Sequence, residues 1–153
     1  MGCMTQTDDK IVSAVRTIDA PAAAIFELIA DPCRQPEWDG NNNLARADAG
    51  QRVRAVGEVF HTVLTSDSVR DNHVVEFEEG TRIAWCPSDA GAEPAGHLWR
   101  WELEPTSDGR TRVTHTYDWT HLADPKRLDR ARATTSDNLS ASLEKLAAAV
   151  GSD

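Results

Sequence analysis

Two neighbouring segments, HLWRWELEP and TRVTHTYDWT, limit what this chain can fold into more than any other feature. Both alternate large and polar residues with the two-residue period of a β-strand. If residues 105–111 form the connecting loop, an antiparallel hairpin places Trp101 opposite His115 and Trp99 opposite Tyr117. The large residues then share one face, and charged residues and threonines share the other. The pattern therefore predicts a sheet with one buried, aromatic face and one solvent-exposed face.

The rest of the chain predicts helices and further strands in a definite order. A strand over residues 10–19 precedes a helix that begins at Pro21, because proline suits a first helical turn and apolar residues follow at helical spacing. The Asp31-Pro32 pair ends that helix and opens a second short one, which ends near Trp38. The later elements are strands over residues 57–64, 69–78 and 81–86, the two segments above, and one long helix from Pro125 to Val150.

This order predicts an α+β fold in which the helices lie on one side of an antiparallel sheet. The chain has 153 residues, which is enough to bury a sizeable core in one domain. We therefore expect a single domain over residues 1–153, with residues 1–9 as a flexible tail.

The net charge of −9 argues against nucleic acids and anionic lipid surfaces as partners, because both repel an acidic protein. One basic cluster departs from this balance. We interpret it as a solvated helix face, since no aromatic residues alternate with its charges. The cluster consists of Lys126, Arg127, Arg130 and Arg132.

The three cysteines, Cys3, Cys33 and Cys86, are an odd number without a C-x-x-C pair. This spacing predicts neither a disulfide framework nor a metal site, and no sequence motif suggests a cofactor. The first residues, MGCMTQTDDK, have no apolar segment that would direct secretion or integral membrane association. These features predict a cytoplasmic protein.

Three features resemble the START-like helix-grip (SRPBCC) superfamily, in its polyketide cyclase/dehydrase-like branch. They are the order of the elements, the early stretch VSAVRTIDAPAAAIFELIADPCRQPEWDG, and the pair HLWRWELEP and TRVTHTYDWT. The resemblance covers nearly the whole chain. It implies a curved antiparallel sheet of about six or seven strands wrapped around a long C-terminal helix, with two short helices after the first strand. It also implies a cavity for a hydrophobic ligand, in a superfamily that includes lipid carriers, hormone binders and aromatase/cyclases.

On this interpretation, the large inner residues form the wall of a ligand cavity, although the same pattern is typical of an ordinary aromatic core. His115, Tyr117 and His61 are the candidates for acid-base catalysis, and His61 is assigned to the inner face with Val59 and Val63. A buried His or Tyr is equally well explained by a backbone hydrogen-bond partner. The predicted ligand-binding residues are Trp85, Trp99, Trp101, His115, Tyr117, Trp119, Leu128 and Thr135.

Three functions follow from these features. The first is binding of a small hydrophobic ligand, such as a lipid or a polyketide, by a monomer or homodimer. The second is a cyclase or dehydratase that moves protons with the cavity His and Tyr residues. The third is an interaction module whose cavity is closed. The sequence lacks a dinucleotide fingerprint, a P-loop, a nucleophile elbow and an H-E-x-x-H motif.

The opening of any cavity is expected at the end where the last helix begins. In an antiparallel meander, alternate connections lie at the same end of the sheet. Three connections therefore lie together at this end: the loop over residues 87–96, the link over residues 121–125 and the turn over residues 66–68. The loop is rich in small residues, so it is expected to be mobile.

Overall fold

The computed structural model describes residues 10–151, and the predicted tail over residues 1–9 lies outside the described residues. Within this range the chain forms seven strands, three α-helices and one 3₁₀ helix. The strands are β1 (Ile11–Ile18), β2 (Leu44–Arg46), β3 (Val59–Leu64), β4 (Val69–Glu78), β5 (Arg82–Asp89), β6 (Leu98–Pro105) and β7 (Thr111–Asp118). The helices are α1 (Ala22–Ala30), the 3₁₀ helix (Pro32–Glu37), α2 (Pro125–Ala133) and α3 (Ser136–Gly151).

The strands form one antiparallel sheet in the order β1-β7-β6-β5-β4-β3-β2. The predicted register of β6 and β7 is confirmed, with Trp101 opposite His115 and Trp99 opposite Tyr117. The pairing of β4 with β5 shifts by one residue at Val75, whose side chain is exposed. Such a bulge bends and twists the strand that carries it, which increases the curvature of the sheet.

The helices cover the concave face of this curved sheet. Leu139, Leu143 and Leu146 of α3 are buried, at the helical spacing of a single apolar stripe. Helix α1 contributes Ile25 and Phe26, which are fully buried in the same core. The predicted α+β helix-grip fold is therefore confirmed.

The predicted single closing helix is wrong, because the chain breaks into α2 and α3 at Thr134, whose backbone is extended (φ −82°, ψ 115°). The next residue, Thr135, caps α3. The Oδ1 atom of Asn138 accepts hydrogen bonds from the Thr135 backbone N–H at 2.8 Å and from its hydroxyl at 3.1 Å. A side chain at the third helical position that returns to the cap in this way starts a new helix. The apolar stripe continues across the break from Ala131 to Leu139, which concealed the break in the sequence.

None of the helices within residues 10–151 is long and apolar enough to cross a lipid bilayer.

Candidate ligand-binding cavity

A cavity of about 430 Å³ lies between the concave face of the sheet and the helices. Side chains from β3 to β7 line one side, and side chains from the 3₁₀ helix, α2 and α3 line the other. Pockets that hold small ligands typically have volumes of about 300–1,000 Å³. The cavity is therefore large enough to accept one.

Four stacked rings on β6 and β7, which we call the aromatic wall, form the sheet side of the cavity: Trp101, His115, Trp99 and Tyr117. The ring centroids of Trp101 and His115 are 3.6 Å apart, and the ring planes are within 12° of parallel. His115 and Trp99 stack at 5.5 Å, and Trp99 and Tyr117 at 4.2 Å. Trp38 contacts Trp101 edge to face at 5.0 Å. Cross-strand neighbours on one face of a sheet are close enough to stack in this way.

The imidazole of His115 is held in one tautomer by the backbone. Its Nδ1 atom lies 3.1 Å from the carbonyl oxygen of Arg100. Because a carbonyl oxygen only accepts hydrogen bonds, Nδ1 carries the proton and Nε2 is left as an acceptor. Burial lowers the pKa of His115 to about 3, although the bond to Arg100 opposes that shift. The ring is therefore neutral at pH 7.

This buried histidine should make the protein less stable as the pH falls below 6.5. The folded chain keeps His115 neutral down to about pH 3, whereas the unfolded chain binds the proton near its ordinary pKa of 6.5. The stabilisation is thus complete above pH 6.5 and is lost toward pH 3. The expected loss between pH 6.5 and 5 is about 1.5 kcal/mol. The pKa of His97 is lowered to about 4, mainly by burial, so His97 adds a loss of the same sign.

Urea unfolding at a series of pH values measures this dependence. The variant His115→Gln keeps a side-chain amide to bond the Arg100 carbonyl, and we expect it to lose about half of the slope in this pH window. Carboxylates titrate mostly below pH 5 and do not interfere. An unchanged slope in the variant would contradict the burial of a neutral His115.

Two buried nitrogens beside the aromatic wall have no hydrogen-bond partner within residues 10–151. They are Nε1 of Trp101 and Nδ1 of His97. An unsatisfied buried polar group typically costs about 1–3 kcal/mol. Both residues line the cavity.

Tyr117 adds a hydroxyl to the same cavity. Burial raises its pKa to about 12, while the positive charges of Arg130 and Arg127 act in the opposite direction. The phenol is therefore protonated at neutral pH and can donate a hydrogen bond.

The rest of the cavity lining is more polar. Asn72 donates from Nδ2 to the hydroxyl of Thr62 at 3.1 Å, and both side chains are buried. The loop after the 3₁₀ helix is tied to α3, because Asn41 donates from Nδ2 to the backbone carbonyl of Asn138 at 3.0 Å. The backbone N–H of Gly40 donates to Oγ of Ser142 at 3.1 Å. These bonds hold the loop against α3.

Arginines from β4 and α2 line one end of the cavity. Arg70 and Arg127 share the carboxylate of Asp89, at 3.1 Å and 2.8 Å. Arg130 lies on the next turn of α2, with one guanidinium nitrogen 3.4 Å from Oδ1 of Asn43. All three arginines line the cavity, as do Pro87, His97 and Leu122. This is the end at which the sequence predicts the opening.

Five of the eight predicted ligand-binding residues line the cavity, namely Trp85, Trp99, Trp101, His115 and Tyr117. Their role in binding stays a prediction.

The other three lie elsewhere. Trp119 is buried, with the charged ends of Lys10 and Arg132 over its ring at 5.6 Å and 5.9 Å. Leu128 packs against the core, half-buried. Thr135 is exposed because it caps α3.

The prediction that His61 faces the interior is wrong. The inward positions of β3 are those of the buried Phe60 and Thr62, so alternation places His61 on the outer face. Its side chain is 60% exposed, and Nδ1 lies 2.7 Å from a carboxylate oxygen of Asp71. His61 is thus separated from the cavity by the sheet.

Several cavity residues were not found from the sequence. Trp38 follows a proline-rich stretch, and its Nε1 donates to the Leu28 carbonyl at 2.7 Å while its ring lines the cavity. Polar residues at inward strand positions, Thr62 and Asn72, were a usable signal, because such positions are normally apolar. Arg130 belongs to the cluster that the sequence assigned to a solvated face.

The curved sheet, the helix packed against its concave face and the cavity between them define a START-like helix-grip protein. The chain belongs to the family described as polyketide cyclase / dehydrase and lipid transport, which matches residues 10–151.

This chain is similar to the uncharacterized protein Rv0088 of Mycobacterium tuberculosis. It is 32% identical over 111 residues, which are 71% of this chain and 47% of Rv0088. The chain therefore spans about half the length of the curated relatives it matches.

Solved structures share the fold. The protein MLL2253 from Mesorhizobium loti superposes with a TM-score of 0.65 at 22% identity, over 90% of this chain and 93% of that one. The Aha1 dimer from Colwellia psychrerythraea superposes with a TM-score of 0.63 at 17% identity, over 92% of this chain and 95% of that one.

Proposed function

We propose that this protein binds a small, largely apolar molecule in the cavity, with a flat part of the molecule against the aromatic wall. The observation that carries the proposal is the wall itself, which borders a cavity of about 430 Å³. Flat rings offer a large apolar surface at low conformational cost, and stacked contacts add about 0.5–1.5 kcal/mol beyond area burial. A lipid or polyketide-like molecule suits such a surface.

The few polar groups of the aromatic wall support the same proposal. The Trp101 Nε1–H and the Tyr117 hydroxyl are donors, and the His115 Nε2 atom is an acceptor. Ligand pockets commonly combine an apolar lining with a small number of polar groups that orient the ligand. A carbonyl or hydroxyl on the bound molecule satisfies this arrangement.

Extraction of the purified protein with organic solvent, followed by mass spectrometry, tests the proposal directly. A stoichiometric apolar compound supports it. The neutral fluorescent probe N-phenyl-1-naphthylamine provides a second test, because its emission increases in an apolar site. Failure to retain any such compound, together with no binding of the probe, would refute the proposal.

We expect Trp99→Leu to weaken binding of this probe by about tenfold, because the substitution removes the stacking surface at the centre of the wall. Trp119→Leu is the matched control: it removes the same side chain from a buried position that does not line the cavity. Fluorescence titration measures the affinities, and urea unfolding shows whether each variant is folded. Equal losses in the two variants would contradict the role of the wall.

A second candidate function is a cyclase or dehydratase, favoured by the presence of His115 and Tyr117 in one cavity. Their pKa values, about 3 and about 12, lie far from neutral on opposite sides. Efficient proton transfer needs pKa values near the working pH, so binding is the better supported function. A product that is lighter than its precursor by one water, formed with the unaltered protein and absent with Tyr117→Phe, would establish the enzyme instead.

The open cavity argues against the third alternative, an interaction module with a closed interior. The thiols of Cys33 and Cys86 are free, and the predicted cytoplasmic location stays a prediction. The predicted monomer or homodimer stays a prediction.

A further inference from the structure

The charge of the cavity lining is opposite to that of the whole chain. The protein carries a net charge of −9. Within residues 10–151, in contrast, the cavity is lined by three arginines, Arg70, Arg127 and Arg130, and by one acidic residue, Asp39. An acidic protein that concentrates cations around its binding cavity attracts anions to that point.

The one acidic residue does not balance these arginines locally. The Asp39 carboxylate accepts hydrogen bonds from the backbone N–H groups of Asn43 at 2.6 Å, Leu44 at 2.7 Å and Asn41 at 3.1 Å. Its oxygens are used to close the loop after the 3₁₀ helix. Asp39 therefore has a structural explanation that needs no ligand.

The arginines are only partly neutralised by other carboxylates. Arg70 and Arg127 share Asp89, whose side chain is 61% exposed, and Arg127 also lies 3.4 Å from Asp124. Arg130 forms no ion pair within residues 10–151, and its long contact to Asn43 is its side-chain hydrogen bond in that range. At least one guanidinium therefore has donors to spare.

The positive field of this group reaches the polar atoms of the cavity. Burial is the main cause of the low pKa of His97, and the charges of Arg127, Arg70 and Arg130 lower it further. The charges of Arg130 and Arg127 likewise act on the Tyr117 hydroxyl. The arginines, His97 and Tyr117 thus lie within electrostatic reach of each other at one end of the aromatic wall.

We propose that Arg70, Arg127 and Arg130 bind the anionic head group of an amphipathic ligand, a carboxylate or a phosphate, whose apolar body lies along the aromatic wall. This inference rests on the proposed ligand binding and adds the class of ligand to it. Guanidinium groups suit both anions because their planar donors match paired oxygen atoms. The arrangement gives the ligand one orientation, with its charge beside α2.

Two fluorescent probes with the same ring skeleton test the proposal. The anionic probe 1-anilinonaphthalene-8-sulfonate differs from the neutral N-phenyl-1-naphthylamine by one sulfonate group. We expect Arg130→Gln to weaken binding of the anionic probe by about tenfold, the value of one charge-assisted hydrogen bond, and to leave binding of the neutral probe within about twofold. Raising the salt concentration should weaken binding of the anionic probe and leave binding of the neutral probe unchanged.

The matched control is Arg132→Gln, on the same helix. Arg132 is 61% exposed, lies 3.5 Å from Asp129 and does not line the cavity. Both substitutions remove one positive charge, so a general effect of net charge changes the two variants equally. Arg130 is preferred to Arg127 for this test, because Arg127 also holds α2 through Asp89 and Asp124.

The outcomes separate this inference from the function on which it rests. If both probes bind and Arg130→Gln affects neither, or affects both equally, the head-group site is refuted while ligand binding stands. If neither probe binds the unaltered protein, the proposed function fails, and the inference fails with it. Selective loss of the anionic probe in Arg130→Gln alone supports the proposal.

Competition identifies which anion the arginines favour. Dodecanoic acid, dodecyl phosphate and dodecanol share one apolar chain and differ in the head group. Stronger displacement of the bound probe by the acid or by the phosphate than by the alcohol supports the site and names its anion. If dodecanol displaces the probe as strongly as the acid and the phosphate at the same concentration, the head-group site is refuted.

Discussion

Replacing Trp101 with alanine is expected to lower the free energy of unfolding by about 3–5 kcal/mol, the typical cost of removing a large aromatic side chain from a core. Trp101 is fully buried at the centre of the fold. It stacks on His115 at 3.6 Å and receives the edge of Trp38 at 5.0 Å, so the substitution removes contacts with both the sheet and the 3₁₀ helix region.

Urea unfolding measures this loss as a lower midpoint with an unchanged slope. Trp101→Phe is the control, because phenylalanine keeps a ring to stack on His115 and removes the Nε1–H that has no partner within residues 10–151. We expect this variant to lose less than half as much stability. A similar loss in both variants would mean that the indole shape, and not the stacked ring, is what stabilises the core.

Replacing Gly96 with alanine is expected to cost about 3–4 kcal/mol, from two separate causes. The φ angle of Gly96 is +119°, a conformation that residues with a side chain rarely adopt. A Cβ atom there would also lie 2.6 Å from the carbonyl carbon of His121 and closer still to its oxygen. Because His121 presents backbone at this point, the clash cannot be relieved by a side-chain rotation.

Gly91→Ala separates the two causes. Gly91 lies in the same loop with a φ angle of +78°, and an added Cβ would meet no atom within 4 Å. We expect it to cost about 1–2 kcal/mol, the conformational part alone. Thermal and urea unfolding of both variants compare them. Equal losses would show that the segment at His121 moves away and that Gly96 is not a close contact between the loop and the chain leading to α2.

The sequence by itself determined the fold class and the register of the hairpin. Alternation has a period of two, so a single slip of β6 against β7 would expose Trp99 and Trp101 together. The large residues of both strands therefore permit one pairing, and the structure has it. Local sequence patterns also predicted that the sheet is antiparallel and that the helices lie on one side of it.

Local patterns failed where two different structures share one pattern. The apolar stripe from Ala131 to Leu139 is compatible with one helix or with two, and the cap formed by Thr135 and Asn138 decided between them. The prediction that His61 lies on the inner face failed for a related reason. Val59 and Val63 are apolar and lie on the outer face with it, so composition alone indicated the wrong side.

Only the tertiary structure decided which side chains line the cavity. Arg70 on β4 and Arg130 on α2 are 60 positions apart in the chain, and no periodicity relates them. Both side chains line one cavity, and the break at Thr134 sets where α2 ends. Sequence patterns report which face of an element is buried, since burial has the period of that element. They do not report which distant side chains share a space, because that depends on curvature and on the packing of elements against each other.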